Sequence, residues 1–164
     1  MGLQRQWWIF LLWGRWFVVA GRRDVPCPYD DSIVGYTSIA HLNADIQEEI
    51  DRIENVPILQ PESSYIYTLC PHTVFVGDER LTPLLDNSTF LCGNMGDSKD
   101  KCTLMGGSVQ VNIIDSPYQY QINRLFFRGL TFSNFTSYGV AASASSQTRA
   151  EFHDCHWRVS HEFF

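Results

Sequence analysis

Asp154 stands between His153 and His156, with Cys155 inside the same run, and these residues come nearest in the chain to an acid–base set. Cleaving a glycosidic bond takes two carboxylates, one as acid and one as base or nucleophile. The seven residues that begin at Phe127 match those that begin at Phe152, yet Gly129 and Thr131 stand where the second carboxylate would have to be. His153, Cys155 and His156 are zinc-type ligands, but in a strand 153 and 155 share one face while 156 points to the other. No metal site is expected. Arg124, Arg128, Arg149 and Arg158 could meet an anionic polymer, although Arg128 and Arg158 fall at different places of the pattern and give no clean basic row. Asp97 and Asp100, beside Lys99 and Lys101, read as a solvated loop tip with too few oxygens for Ca²⁺. The residues therefore define no catalytic set and no cofactor.

The elements that carry these side chains share a short pattern. Phe127-Arg128-Gly129-Leu130-Thr131-Phe132-Ser133 aligns with Phe152-His153-Asp154-Cys155-His156-Trp157-Arg158, with apolar residues at the first, fourth and sixth places. Leu104 to Gln110 is read into the same frame, and Leu69 to Phe75 as an earlier, weaker copy. The later three copies start 23 and 25 residues apart, the scale of one turn of a solenoid. Each copy is too short to bury its own apolar side. Stacked on its neighbour, it satisfies its backbone through a parallel ladder and adds to a continuous column. Leu125, Phe127, Leu130 and Phe132 are expected inward, with Ala150, Phe152, Cys155 and Trp157 above or below them. Gly139 to Ser146, small and uncharged, suits a tight rung or a flexible linker.

Tyr65–Leu69, Thr73–Val76, Phe90–Cys92, Val109–Ile114 and Leu125–Phe127 read as strands. Ile39, Leu42, Ile46, Ile50 and Ile53 lie on one helical stripe, with Gln47, Glu48, Asp51 and Glu54 outside it. Thr37 or Ser38 is placed to cap the start, and Pro57 disfavours helix at Val56. This helix, 39–56, arrives just before the first strands and is well placed to cover the open edge of the column. Residues 57–64 read as a linker, 21–38 as an irregular lead-in, and 65–164 as the stacked coils.

With 164 residues, 45% apolar and 14% aromatic, the chain can bury a real core. A net charge of −6 and the lack of a basic run argue against nucleic acid as partner. Arg5, the apolar run from Trp7 to Trp13 and Val18-Val19-Ala20 fit a signal peptide over 1–20; a tail-like extension or a mis-assigned start is the alternative. Arg15 interrupts the apolar stretch, so no stable membrane span is expected. Without residues 1–20 the chain loses Arg5 and Arg15 and carries −8. Five cysteines suit an oxidising compartment. Cys92 and Cys102 bracket a polar loop and are an expected disulfide. Cys27 and Cys70 are the expected second pair, with connectivity left open by sequence. Cys155 is left over, as a buried thiol or one with a partner elsewhere. Asn87-Ser88-Thr89 and Asn134-Phe135-Thr136 are N-glycosylation acceptors. Asn87 is preferred, because an asparagine at a corner such as Asn134 can stack internally instead.

The ordered motifs resemble a family. They are Asp45-Ile46-Gln47-Glu48-Glu49-Ile50, Tyr67 to Phe75, Leu91-Cys92-Gly93, Gly96-Asp97-Ser98 up to Cys102, and Phe127 to Phe132. Over roughly residues 39 to 157 the chain is similar to the N-terminal portion of secreted right-handed parallel β-helix proteins of the pectin lyase-like class. It is especially similar to an uncharacterised group in unicellular algae. The resemblance implies an all-β solenoid of about four coils with an N-terminal amphipathic capping helix, in an extracellular or cell-surface, carbohydrate-related setting. The expected role is contact with cell-wall or extracellular polysaccharide, without catalysis in this segment. The alternative is the N-terminal part of a polysaccharide lyase or hydrolase with catalytic coils beyond residue 164. Self-association through an open β-helix end is a third expectation.

Overall fold

A computed structural model describes residues 25–55, 64–76, 80–82, 85–107, 109–113, 124–142 and 149–158. The expected signal segment 1–20 and residues 57–63 of the expected linker 57–64 lie outside them. The described residues form mostly β-strands in parallel sheets, with one α-helix. In chain order the strands are β1 (Pro26–Cys27), β2 (Asp30–Val34), β3 (Tyr65–Leu69), β4 (Val74–Val76), β5 (Ser88–Cys92) and β6 (Cys102–Met105). They continue with β7 (Val109–Ile113), β8 (Arg124–Arg128), β9 (Leu130–Ser133), β10 (Tyr138–Ala142), β11 (Arg149–His153) and β12 (His156–Arg158). Helix α1 (Ile39–Asn55) lies between β2 and β3.

The lead-in is not irregular throughout. β1 and β2 pair antiparallel. The Asp30 carboxylate closes the turn by accepting from the Ser32 amide at 3.0 Å and from its hydroxyl at 2.6 Å. Strands this short, rich in Asp and Pro, carry no alternation from which a hairpin could be read. Gly35 then passes so close to the next strand that a Cβ there would sit 2.6 Å from the Thr68 carbonyl oxygen.

Helix α1 forms where the stripe places it. The Ser38 hydroxyl accepts from the His41 amide, capping the first turn, and Ile39, Leu42, Ile46, Ile50 and Ile53 are buried. Each such side chain contributes about 1.5–3 kcal/mol by leaving water, before the entropy of ordering the chain. Glu49 is buried too, and Arg52 pairs with its carboxylate from the next turn. Asn43 reaches off the helix to Arg80 and Thr82, donating to one carbonyl at 2.7 Å and accepting from the other amide at 3.0 Å. The helix thereby satisfies backbone groups of a segment at the sheet edge.

Two four-stranded parallel sheets carry the rest. One has the order β3-β5-β8-β11 and the other β4-β6-β9-β12, so successive chain passes lie side by side in both. A third parallel pair joins β7 to β10, and Leu81 bridges to Val111 beside it. Inward residues form one core with the helix stripe. Tyr67, Phe90, Phe127 and Phe152 stack ring on ring at 5.2, 5.2 and 5.0 Å. Those distances follow the spacing of neighbouring strands, about 4.8 Å, so the ladder itself sets the ring stack. Trp157 lies over Phe132 at 5.1 Å.

Registers correct part of the repeat frame. Phe152 faces Phe127 and Trp157 faces Phe132, as the alignment of those two copies has it. Leu104, however, faces Phe132, so it holds the sixth place rather than the first. The counterpart of Phe127 is Phe90, and that of Phe90 is Tyr67. Residues 93–101, inserted between β5 and β6, split the pattern of this copy in two, and an ungapped frame cannot follow it.

Corners between the sheets repeat as well. His72 (φ 57), Lys101 (φ 54), Gly129 (φ 72) and Asp154 (φ 52) each turn the chain from the first sheet into the second in the left-handed region. Gly106 (φ 83) and Asn134 (φ 55) do the same after β6 and β9. Neighbouring corners bond to each other: the Gly129 amide donates to His153 at 3.0 Å, and the Gly106 amide to Ser133 at 3.0 Å. L-residues visit this conformation at a cost, least for Asn, Asp and Gly. The ladder holds even His72 and Lys101 in it.

Candidate functional site

β8 alternates in register with the pleat. Leu125 and Phe127 point into the core, so Arg124, Phe126 and Arg128 face outward. β11 repeats this one strand away, with Arg149 beside Arg124, Glu151 beside Phe126 and His153 beside Arg128. Thr89 and Leu91 of β5, then Ile66 and Thr68 of β3, extend the same outer rows. The face therefore carries Arg124 and Arg149 in one row and Arg128 with His153 in another, separated by a row of Ile66, Thr89, Phe126 and Glu151. Arg128 and Arg158 are not equivalent, as the pattern has it, and lie in different sheets; the arginines that stand side by side are 124 and 149.

Glu151 is the carboxylate in these rows. It takes a 3.0 Å contact from Arg149 and lies 3.5 Å from His153. Three arginines thus face one carboxylate, which leaves a local positive surplus in a chain of net charge −6. The acidic surplus sits elsewhere: α1 carries Asp45, Glu48, Glu49, Asp51 and Glu54 against Arg52. Asp86 fixes the edge of the face, its carboxylate accepting from the Arg124 amide at 3.1 Å.

Asp154 has a different task. Its ladder neighbour is Gly129, which has no side chain, and its carboxylate accepts from the Ser98 amide at 2.8 Å. Hydrogen bonds from the Ser98 amide and then its hydroxyl hold the carboxyl below its ordinary value, helped by the charges of His156 and Lys99. Asp97 caps the 3-10 turn Ser98–Asp100 by accepting from the Lys99 amide at 2.9 Å. The loop from Gly93 to Lys101 therefore folds down over Gly129 and is held by Asp154 from the far side. Gly129 permits this approach, since a Cβ there would lie 2.6 Å from the Gly96 carbonyl carbon.

Cys155 is half-buried. Its thiol donates to the Phe127 carbonyl at 3.4 Å, and burial pushes its pKa up, which favours the unreactive thiol form. His153 faces outward on the arginine-bearing sheet and His156 lies exposed on the other. Among the described residues no three of His, Cys, Asp and Glu converge to hold a metal ion.

Cys92–Cys102 and Cys27–Cys70 are disulfide-bonded, with Cα atoms 5.5 and 5.3 Å apart. The first closes the neck of the 93–101 loop; the second ties the β1–β2 hairpin to the end of β3. Asn87, half-buried at φ 56, directly precedes β5, and Asn134 is exposed at the corner after β9. Among the described residues no helix is long and apolar enough to cross a membrane. Two disulfides are consistent with an extracellular location. Comparison with protein-family models, with curated proteins and with solved structures finds no match.

Proposed function

We propose that this chain is an extracellular scaffold of the pectin lyase-like type, a right-handed parallel β-helix capped by α1, which contacts acidic polysaccharide without cleaving it. Three parallel ladders visited in the same order on each pass, and corners that repeat in conformation, support one continuous coil. Parallel connections are overwhelmingly right-handed, which supports the hand.

The observation that carries the polysaccharide reading is the register of β8 on β11, which sets Arg124 beside Arg149 and Arg128 beside His153 on an outward sheet face. Guanidinium groups bind carboxylates in a planar, two-pronged geometry, and neighbours within a row, about 4.8 Å apart on adjacent strands, offer repeated contacts to a polymer lying across the strands. In the row between them Ile66 and Phe126 suit the less polar faces of sugar rings, with Glu151 at its far end. Asp154, the carboxylate nearest to an acid–base arrangement, is engaged by Ser98, which supports binding over hydrolysis.

Affinity electrophoresis through gels containing polygalacturonate or a neutral glucan tests this. The expected result is retardation by polygalacturonate alone, weakened by added salt, and reduced about tenfold in affinity by Arg124→Ala or Arg128→Ala through loss of a charge-assisted contact. Equal retardation by neutral glucan, or none by either gel, overturns the reading.

A further inference from the structure

We propose that the folded, secreted protein carries an N-linked glycan at Asn134 and none at Asn87. The inference rests on the extracellular reading above. It reverses the preference that sequence alone suggests.

Asn134 turns the corner after β9 in the left-handed region with its side chain exposed, and Thr136 two residues on completes the acceptor. The equivalent corner on the preceding strand is Gly106, since Met105 faces Ser133. Gly106 has no side chain, and a Cβ built on it would meet nothing within 4 Å. The space flanking Asn134 on that side is therefore open, and no asparagine stands there to form an internal stack. A bulky, hydrated glycan needs such room.

Asn87 is placed otherwise. It is half-buried, its carbonyl accepts from the Tyr65 amide at 3.2 Å, and Ser88 beside it is buried with its hydroxyl on the Leu85 carbonyl at 2.7 Å. Continuing the register that sets Ser88 beside Leu125 brings Asn87 level with Arg124, whose amide is held by Asp86. A glycan at Asn87 would lie at the rim of the arginine rows and compete for the surface that contacts polysaccharide. One at Asn134 projects from the corner between the second sheet and the β7–β10 pair, away from those rows.

The test is secretion from a eukaryotic host behind a heterologous signal sequence, so that the result does not depend on residues 1–20 acting as one. Mass spectrometry of the protein from the medium, before and after endoglycosidase treatment, is compared for the parent, Asn134→Asp and Asn87→Asp. Aspartate tolerates the left-handed corner about as well as asparagine, so both variants keep the backbone. The expected result is a single glycan, lost in Asn134→Asp and retained in Asn87→Asp. A glycan that survives Asn134→Asp, two glycans on the parent, or a secreted parent without any overturns the proposal. Thr136→Val, which removes the acceptor but leaves Asn134 in its corner, must give the same loss if the attachment is N-linked. Failure of the native segment 1–20 to direct secretion, measured separately, would count against the extracellular reading and not against the choice of site.

Discussion

Asp154 illustrates how one side chain can look catalytic in sequence and be structural in place. At φ 52 it occupies the corner that Gly129 occupies one strand earlier, and its short carboxylate can both tolerate that backbone and reach the Ser98 amide. Its pKa is depressed, so the contact is present above the ordinary carboxyl value of 3.8 and is lost only as pH falls through the lower folded-state value. Exchange of the Ser98 amide should therefore stay slow from neutral pH down to about the ordinary value and accelerate below it, beyond the intrinsic pH trend. Asp154→Asn keeps an acceptor oxygen and the corner conformation but cannot titrate, so its Ser98 protection should follow the intrinsic trend alone. Identical pH profiles for the two proteins would mean that some other group holds the loop.

Elements were legible in proportion to how far their pattern is local. Helix α1 follows from five aliphatics at helical spacing, and β3 from a five-residue alternation, because each buries one face, which leaves its period in the local sequence. The match of the Phe127 and Phe152 copies was legible because nothing is inserted in either: one register runs from Phe127 to Ser133 against Phe152 to Arg158. Lost to sequence were the true copy at Phe90, hidden by the inserted loop 93–101, and the hairpin β1–β2, whose strands are too short to alternate. The Arg124–Arg149 pair lies just outside the seven-residue frame that starts at Phe127: the 25-residue offset of the two copies, carried back three residues, sets them side by side. Stacking yields its own expectation. Phe127 is sandwiched between Phe90 and Phe152 at 5.2 and 5.0 Å and is fully buried, whereas Phe152 is half-buried. Phe127→Ala should cost about 3–5 kcal/mol by urea unfolding, Phe152→Ala clearly less, and Phe127→Asp should abolish folding. Equal costs for the two alanine variants would mean that the column does not continue through Phe127.

Over the whole molecule, the two disulfides divide the work between the β1–β2 hairpin and the 93–101 loop. Cys27–Cys70 closes a separation of 43 residues and Cys92–Cys102 one of 10. On the chain-entropy account they restrict the unfolded chain by about 4 and about 2.8 kcal/mol respectively. The folded-state side points the same way. The buried cluster at the hairpin consists of Cys27, Ile33 and Cys70, so two of its three members are the bridge itself. The loop 93–101 keeps other anchors without its disulfide: Asp154 on Ser98, and the Asp100 carbonyl accepting from the His72 amide. The double substitution Cys27→Ser/Cys70→Ser should accordingly lower stability by more than Cys92→Ser/Cys102→Ser, by at least about 1 kcal/mol, in urea unfolding followed by circular dichroism. It should also speed amide exchange in β2 while leaving β8 and β9 protected, because stacked strands share stability mainly with their nearest neighbours. If the order of the two costs were reversed, packing of the hairpin on Thr68 and Leu69, through Gly35 and Tyr36, would be what secures that end, and the bridge would be a secondary lock.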